Sequence, residues 1–480
     1  MLALVVCVCR LLAVHSFHIY DDAFITYRYS QNLAAGHGMV YNPGAPWEPV
    51  LGTTTPLYTL LLSFPVWLGA KVEHASLAFN IVLDGLSAFL ILRLLAARPL
   101  AALLATLAFA AIPEVGRISV GGMESPLFVF LALAAARSAQ LGRLSTAGWL
   151  AALDCTVRPE GVLLLVALSL AHLRDLKSAV RFYIPVAIVG LTSLALLTWY
   201  FGSPIPQSVQ AKASNHGLGP HISRIKDILA RSFGPSIAMR FMFPFAAAGF
   251  ALALLWRTPI RAFVLFGLGI SAAYCLAGVK TWGWYFYVPL VSWCVALGLG
   301  LDATIEFLSR AMPSLRIERT TGALPWALSG LVLTAVAVFS RQHTERVTYH
   351  VYQPLAAWCE REGIEAHQPT IVASDIGAIG FFGRTRILDS EGLVWPQARQ
   401  FHWQIDVIRA HRPDYVLLVA NSVRIGPWRE DPLYAEYLPL ARFNITGDQD
   451  LEPDPKLLPP WWEQDYIIYR RRDYVPAVRE

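Results

Sequence analysis

Long apolar runs follow one another along the first two thirds of the chain, separated by short polar turns. They lie near 2–19, 57–70, 77–97, 99–112, 125–139, 145–156, 160–173, 180–201, 238–256, 260–278, 285–308 and 323–340. A membrane-crossing helix needs ~20 predominantly apolar residues. The pattern therefore predicts a mainly α, polytopic transmembrane helix bundle of about 11 to 13 spans. Several runs are short, and short helices persist where protein or a water-filled cavity surrounds their ends. After residue 341 charges return and prolines multiply. Short apolar runs at Thr370–Ala373, Tyr415–Val419 and Tyr466–Tyr469 predict strands, with helical stretches near 352–362 and 400–411 between them. The expected organisation is a bundle over 1–341 with a polar loop at 20–56, followed by a small C-terminal α/β domain over 342–480.

Basic residues set the orientation. Arg137 and Arg143, then Arg174, Lys177 and Arg181, then Arg257 and Arg261, then Arg310, Arg316 and Arg319 mark cytoplasmic turns. The alternating loops, 20–56 among them, and the C-terminal domain are then extracytoplasmic, in a multi-pass protein of the plasma membrane. Twelve full crossings would return the tail to the cytoplasm, so one of 57–70, 77–97 or 99–112 is expected not to cross fully. Arg10 stands inside the first apolar run. It either snorkels toward an interface, or a few residues precede Met1 in a longer chain. No small-x-small cleavage site precedes Asp21, which speaks against a cleaved signal peptide.

Composition agrees with the pattern: 55% of residues are hydrophobic and only 15% charged, against roughly 25% charged in a soluble domain. The net charge of +5 comes from scattered loop residues, which excludes a nucleic-acid-binding stripe. The six cysteines show neither metal-ligand spacing nor a disulfide framework.

The predicted external loops collect polar groups. The first holds the adjacent acids Asp21 and Asp22, then Arg28, His37 and Glu48; the others carry Glu124, Arg158 with Glu160, Lys212, and Lys280 with Trp282 and Trp284. Two carboxylates held side by side repel, and a protein that keeps such a pair uses it as a base or a metal ligand. Cations on the external side run against the charge bias; Arg28, Arg158, Lys212 and Lys280 together suit a phosphate or diphosphate. Taken singly, each residue has a plainer structural reading. Asp21 caps a helix over Phe24–Leu33, His37 sits in a turn, and Glu124 neighbours a helix N-cap. Arg158 pairs locally with Glu160, and Trp282 and Trp284 anchor an interface. In the C-terminal domain Asp375, and Asp389 with Glu391, read as turn-forming acids, with acceptor contact as the alternative. It is the convergence of acids, cations and aromatics from five loops on one face that points to chemistry. The combination suits sugar transfer from a lipid-phosphate carrier, with a base for the acceptor hydroxyl and cations for the leaving phosphate. No glycine-rich phosphate loop for a soluble nucleotide is seen.

At this point the residues resemble a known family. DDAFITYRYSQNLAAGHGMVYNPG, followed by Glu48 and TTTPLYTLLL, is similar to the first external loop of the GT-C superfamily of polytopic glycosyltransferases. The adjacent Asp-Asp pair resembles the actinobacterial terminal arabinofuranosyltransferase type. GGMESPLF, TVRPEG, FGSPIPQSVQAK, WGWYFYVP and DIGAIGFFGRTRILDSEGL resemble later landmarks, so the likeness runs from about residue 20 to 395. It implies a polyprenyl-phosphate-linked sugar donor (arabinofuranose or a hexose such as mannose) and an acceptor glycan, lipid or protein of the cell envelope. Asp21 or Asp22 becomes the general base, with Asp22 favoured. Glu48 and Glu124 become further acids of the pocket, and Arg28, Arg158 and Lys212 candidates for the donor phosphate. No cofactor is assigned, and a divalent metal remains open. Two departures stand out. Members with lipid A acceptors show an acid followed by Lys-Pro-Pro where this chain reads WEPVLGTTTP, and the C-terminal domain is smaller than in the arabinan enzymes. Two other functions remain open. A transporter or flippase of lipid-linked sugars needs acids within the spans, where Asp84 is the clear one, with Arg93 nearby; a non-catalytic scaffold would tolerate loss of the aspartates.

Overall fold

A computed structural model describes residues 1–480 except 45–48, 173–174, 217–221, 235, 256–259, 279–280, 313–322, 402, 421, 455–464 and 476–480. The first part is helical throughout: α1 Leu2–Val14, α2 Asp21–Ala34, α3 Pro56–Trp67, α4 Val72–Leu94, α5 Pro99–Ala111, α6 Pro113–Val120, α7 Ser125–Gln140, α8 Leu144–Val157, α9 Val162–His172 and α10 Leu176–Phe201. There follow α11 Gln207–His216, α12 Ile222–Phe233, α13 Ile237–Leu255, α14 Arg261–Ala277, α15 Tyr287–Ala311 and α16 Leu324–Gln342. Each of the twelve apolar runs contains one of these helices; α2, α6, α11 and α12 are additional.

Local sequence explains the boundaries. Proline stands in the first turn of α3, α5, α6, α7 and α16, where its fixed φ suits the helix and its missing N–H breaks no bond. Gly202 and Gly278 close α10 and α14 in the left-handed conformation. Between α5 and α6, Ile112 is extended ahead of Pro113, as the residue before a proline prefers, and the two helices meet at 63°.

Among the described residues five helices are long and apolar enough to cross a membrane, or six if the bent α5–α6 pair is one span. With its 12 residues, α3 reaches only ~18 Å, short of a hydrocarbon core of about 30 Å. The apolar helices α10 and α16 are largely exposed, whereas α15 is buried through most of its length.

The C-terminal part is a five-stranded sheet with helices on both faces. Its helices are α17 Gln353–Arg361, α18 Ile364–His367, α19 Gly377–Gly383, α20 Gln404–His411 and α21 Ser422–Glu430. Its strands are β1 Thr370–Ala373, β2 Arg386–Asp389, β3 Tyr415–Val419, β4 Tyr437–Phe443 and β5 Tyr466–Arg471. The spatial order is β2-β1-β3-β5-β4, with β1 parallel to β2 and β3, and β5 antiparallel to β3 and β4. Pro439, which cannot donate to a ladder, lies on edge strand β4 beside a register shift. Side chains alternate across the strands. Ile371, Ile387, Leu417 and Ile468 join the core of the bundle, while Val372, Leu388, Val416 and Ile467 build a second core with Trp428 on the far face.

Candidate active site

The aspartate pair opens α2. The helix begins at Asp21, three residues before the expected start, with Tyr20 as N-cap, so both acids lie in its first turn, where they complement the helix dipole. Asp21 accepts two hydrogen bonds, from the backbone N–H of Gly377 to Oδ2 (2.9 Å) and of Ala378 to Oδ1 (2.8 Å). These are first-turn N–H groups of α19, which lack partners within their own helix. Burial pushes the Asp21 carboxyl up to about 6, against the pull of the Ala378 and Gly377 donors and with Asp22's charge adding to the rise. Asp22 is half-buried.

Phe24 and Arg28 share the Asp21 face of the helix. Phe24 packs on Phe381 and Phe382 at 5.1 and 5.3 Å between ring centroids. Arg28 is buried; it donates from Nη1 to the carbonyl of Gly380 (2.8 Å) and from Nη2 to that of Thr385 (2.6 Å), and lies over the Tyr41 ring at 4.2 Å. Its guanidinium is thus engaged with carbonyls of the sheet unit, not held out toward an anion. Tyr41 donates to the Ile376 carbonyl (2.6 Å). Asn42 pairs with edge strand β2 like a further strand, donating to Ile387 O (2.9 Å) and accepting from Ile387 N (3.1 Å).

A second cluster lies around Arg158, which donates from Nη1 to Glu124 Oε1 (2.9 Å) and from Nη2 to Glu160 Oε1 (3.1 Å). The Tyr274 hydroxyl donates to the same Glu160 oxygen (2.5 Å). The turn 121–124 holds Glu124 in place: Asn80 donates to the carbonyls of Met123 and Ser119, while Tyr27, Tyr58 and Ser76 donate to that of Gly122. Glu124 Oε2 is buried and has no hydrogen-bond partner among the described residues. Burial raises the Glu124 carboxyl; Arg158 opposes that rise, and the charges of Glu160 and Asp22 reinforce it. Asp22 is the smallest of these influences on Glu124. For Glu160, burial works upward, but Arg158 and the Tyr274 hydroxyl outweigh it and hold the carboxyl below its ordinary range.

Aromatic rings join the two groups. The Tyr20 ring meets Trp284 at 4.7 Å, Trp282 stacks on Trp284 at 6.0 Å, and Tyr285 lies under Arg158 at 4.8 Å. The short 3-10 turn Gly283–Phe286, which carries Trp284 and Tyr285 and has Trp282 as its N-cap, is tied to α7 by Ser125 Oγ donating to Trp284 O (3.3 Å).

Asp21, Asp22, Arg28, Glu124, Arg158, Glu160, Trp282 and Trp284 thus belong to one connected region. His37 does not; it is exposed in a turn, its N–H donating to Asn32 O (2.9 Å). Glu48 and Lys280 lie outside the described residues. Lys212 falls within α11, its side chain outside what is described. Among the described residues no three His, Cys, Asp or Glu side chains form a group able to hold a metal ion. Asp389 accepts from the N–H groups of Glu391 and Val394, the turn geometry its position suggests.

Three features escaped the sequence reading. Arg10 does not snorkel: it is buried, with Nε at 2.6 Å from Asp84 Oδ2 and Nη2 donating to Phe109 O, and Tyr287 donates to the same carboxylate. Asp154 is a second buried acid inside the bundle, both oxygens lacking a partner among the described residues. Where α16 leads into the sheet unit, Glu345 bridges His18 and Arg117. Each joins residues distant in sequence or needs depth to be seen, so periodicity carries no signal for it.

A family model described as a domain of unknown function (DUF8728) matches residues 340–469, the part that holds the sheet. No curated protein matches the chain in sequence. Among solved structures, the ArnT protein of Cupriavidus metallidurans bound to undecaprenyl phosphate superposes with a TM-score of 0.58 at 12% identity, over 100% of this chain and 98% of that one. Its apo form gives 0.58 at 11% identity, over 96% and 95%. The mycobacterial arabinofuranosyltransferase AftD gives 0.52 at 16% identity, over 98% of this chain but 41% of AftD. Likeness at these identities carries the fold: a polytopic transmembrane bundle of the GT-C type with a small C-terminal α/β unit.

Proposed function

We propose that this chain is a membrane glycosyltransferase that moves a sugar from a polyprenyl-phosphate carrier to an acceptor hydroxyl, with Asp22 as general base. The observation that carries the reading is the division of labour within the aspartate pair. Asp21 gives both carboxylate oxygens to α19, while Asp22, one position further along the same helix turn, adds its charge to the rise that burial gives the Glu124 carboxyl. The GT-C fold supports it, since one structural neighbour is ArnT with undecaprenyl phosphate bound.

In the reaction the acceptor oxygen attacks the anomeric carbon as its proton passes to Asp22. The bond from that carbon to the phosphate oxygen breaks, and its electron pair leaves on polyprenyl phosphate. The leaving charge calls for a cation. Arg158 is already balanced by Glu124 and Glu160 and the Arg28 N–H groups are directed to carbonyls of Gly380 and Thr385, so Lys212 and Lys280 are our candidates for that role. Trp282, Trp284 and Tyr20 offer an aromatic wall for the sugar. The sugar is arabinofuranose or a hexose such as mannose, the acceptor a glycan, lipid or protein of the cell envelope, and the site extracytoplasmic in the plasma membrane. Asp84, which a transporter reading would use, is locked by Arg10 and Tyr287, so we do not favour that reading.

Membranes containing the chain, given synthetic polyprenyl-phosphate donors carrying labelled arabinofuranose or mannose, should attach label to acceptor. Asp22→Asn should reduce transfer roughly 10²–10⁴-fold, the usual contribution of a positioned base. Full activity in that variant would remove Asp22 from the chemistry, and label that crosses the membrane without a new glycosidic bond would favour transport.

A further inference from the structure

The contacts between α2 and α19 form a clasp with two ends. At the first, Asp21 receives the N–H groups of Gly377 and Ala378; two turns later Arg28 takes the carbonyls of Gly380 and Thr385. Acid meets the N-terminal end of α19 and cation its C-terminal side, so the two helices run in the same direction and both charges match the helix dipole. Phe24 fills the space between with Phe381 and Phe382.

The approach is close enough to require glycine on the α19 side. A Cβ on Gly377 would lie 1.9 Å from the Asp21 carbonyl oxygen, and one on Gly380 would lie 1.7 Å from the Tyr41 hydroxyl. The GAIG segment of the C-terminal unit is thus shaped to the loop that carries the proposed base. Asp22 follows Asp21 directly, and successive helix positions differ by ~100°. Fixing Asp21 against α19 therefore fixes the rotation of α2 and, with it, the direction in which Asp22 leaves the helix.

We propose that the C-terminal α/β unit is part of the catalytic apparatus. Asp21 and Arg28 are positioning residues that clasp α19, and through that clasp the unit sets where Asp22 points. The proposal rests on Asp22 being the base, but the clasp can be tested apart from activity. Hydrogen exchange in the detergent-solubilised full chain reads it directly: Asp21→Asn and Arg28→Leu should raise exchange over 376–385, while β3 at 415–419 stays protected and reports an intact fold. In the transfer assay with a polyprenyl-phosphate-linked labelled sugar, Asp21→Asn should lower kcat about tenfold or more with little change in donor KM. Gly377→Ala, which inserts a methyl group into the clasp from the opposite side and removes no charge, should do the same.

Unchanged exchange over 376–385 in Asp21→Asn would overturn the clasp. Asp21→Asn as inactive as Asp22→Asn, with Gly377→Ala fully active, would overturn the positioning role and make Asp21 a chemical group. A wild-type chain that transfers no sugar would defeat the functional reading alone, and the exchange result would still decide the clasp.

Discussion

Arg10 is the most demanding side chain to place in the bundle, since a lone guanidinium inside a membrane costs several kcal/mol. Asp84, Tyr287 and the Phe109 and Ala110 carbonyls surround it. Breaking a buried pair from one side leaves an uncompensated charge, at a cost of about 3–5 kcal/mol, whereas replacing both members with apolar residues is often neutral or better. Asp84→Leu should therefore lower the unfolding temperature in detergent markedly, and Asp84→Leu combined with Arg10→Met should recover most of the loss. Equal destabilisation by the single and double changes would contradict the pairing. The sequence displayed both residues but not their meeting, because the pair joins α1 to α4 across 74 positions. The same holds for Arg28: its charge was legible, while the carbonyls that engage it lie more than 350 residues away.

At the scale of elements, the turn between α6 and α7 shows how backbone constraint becomes chemistry. Gly122 has φ +83°, and a Cβ there would lie 2.3 Å from the Tyr27 hydroxyl. Gly122→Ala should cost at least about 1 kcal/mol from the backbone alone. It should also push apart the hydroxyls of Tyr27, Tyr58 and Ser76 gathered on the Gly122 carbonyl, displacing Glu124 two residues later. We expect a lower melting temperature together with reduced sugar transfer, and transfer at the wild-type rate would detach this turn from the site. Elements were legible in proportion to how far each carries its own signal. A spanning helix is apolar along its length, so all twelve runs contain helices, and the strands over 370–373, 415–419 and 466–469 stand out as apolar islands. By contrast α19 is a seven-residue, glycine-rich helix that reads as a turn, and β4 carries Pro439 and half-exposed positions. Both take their form from neighbours.

Across the whole molecule, the bundle and the sheet unit meet at a group of acids, which makes pH a probe of their joint arrangement. Asp21 has Asp22 beside it on its own helix and accepts from the N–H groups of Gly377 and Ala378; burial raises the hydroxyls of Tyr352 and Tyr466 on the sheet unit, and the charges of Asp21 and Asp375 add to that rise. Its carboxyl stands at about 6 against an ordinary 3.8. The folded chain therefore holds this proton more tightly than the unfolded one. By linkage this group's contribution to stability is greatest at low pH and is lost as pH rises through the interval to about 6. Catalysis runs the other way, because a base must be ionised to take a proton. Sugar transfer, measured as kcat/KM, should therefore fall as pH drops, because a protonated Asp22 cannot take the acceptor's proton. Asp21→Asn removes a like charge beside Asp22 and so favours the ionised form of Asp22, which should move the acid limb to lower pH even as the loosened clasp reduces kcat. An acid limb unmoved by Asp21→Asn would mean that the two carboxylates do not share their titration, and that the coupling between sheet unit and base is mechanical only.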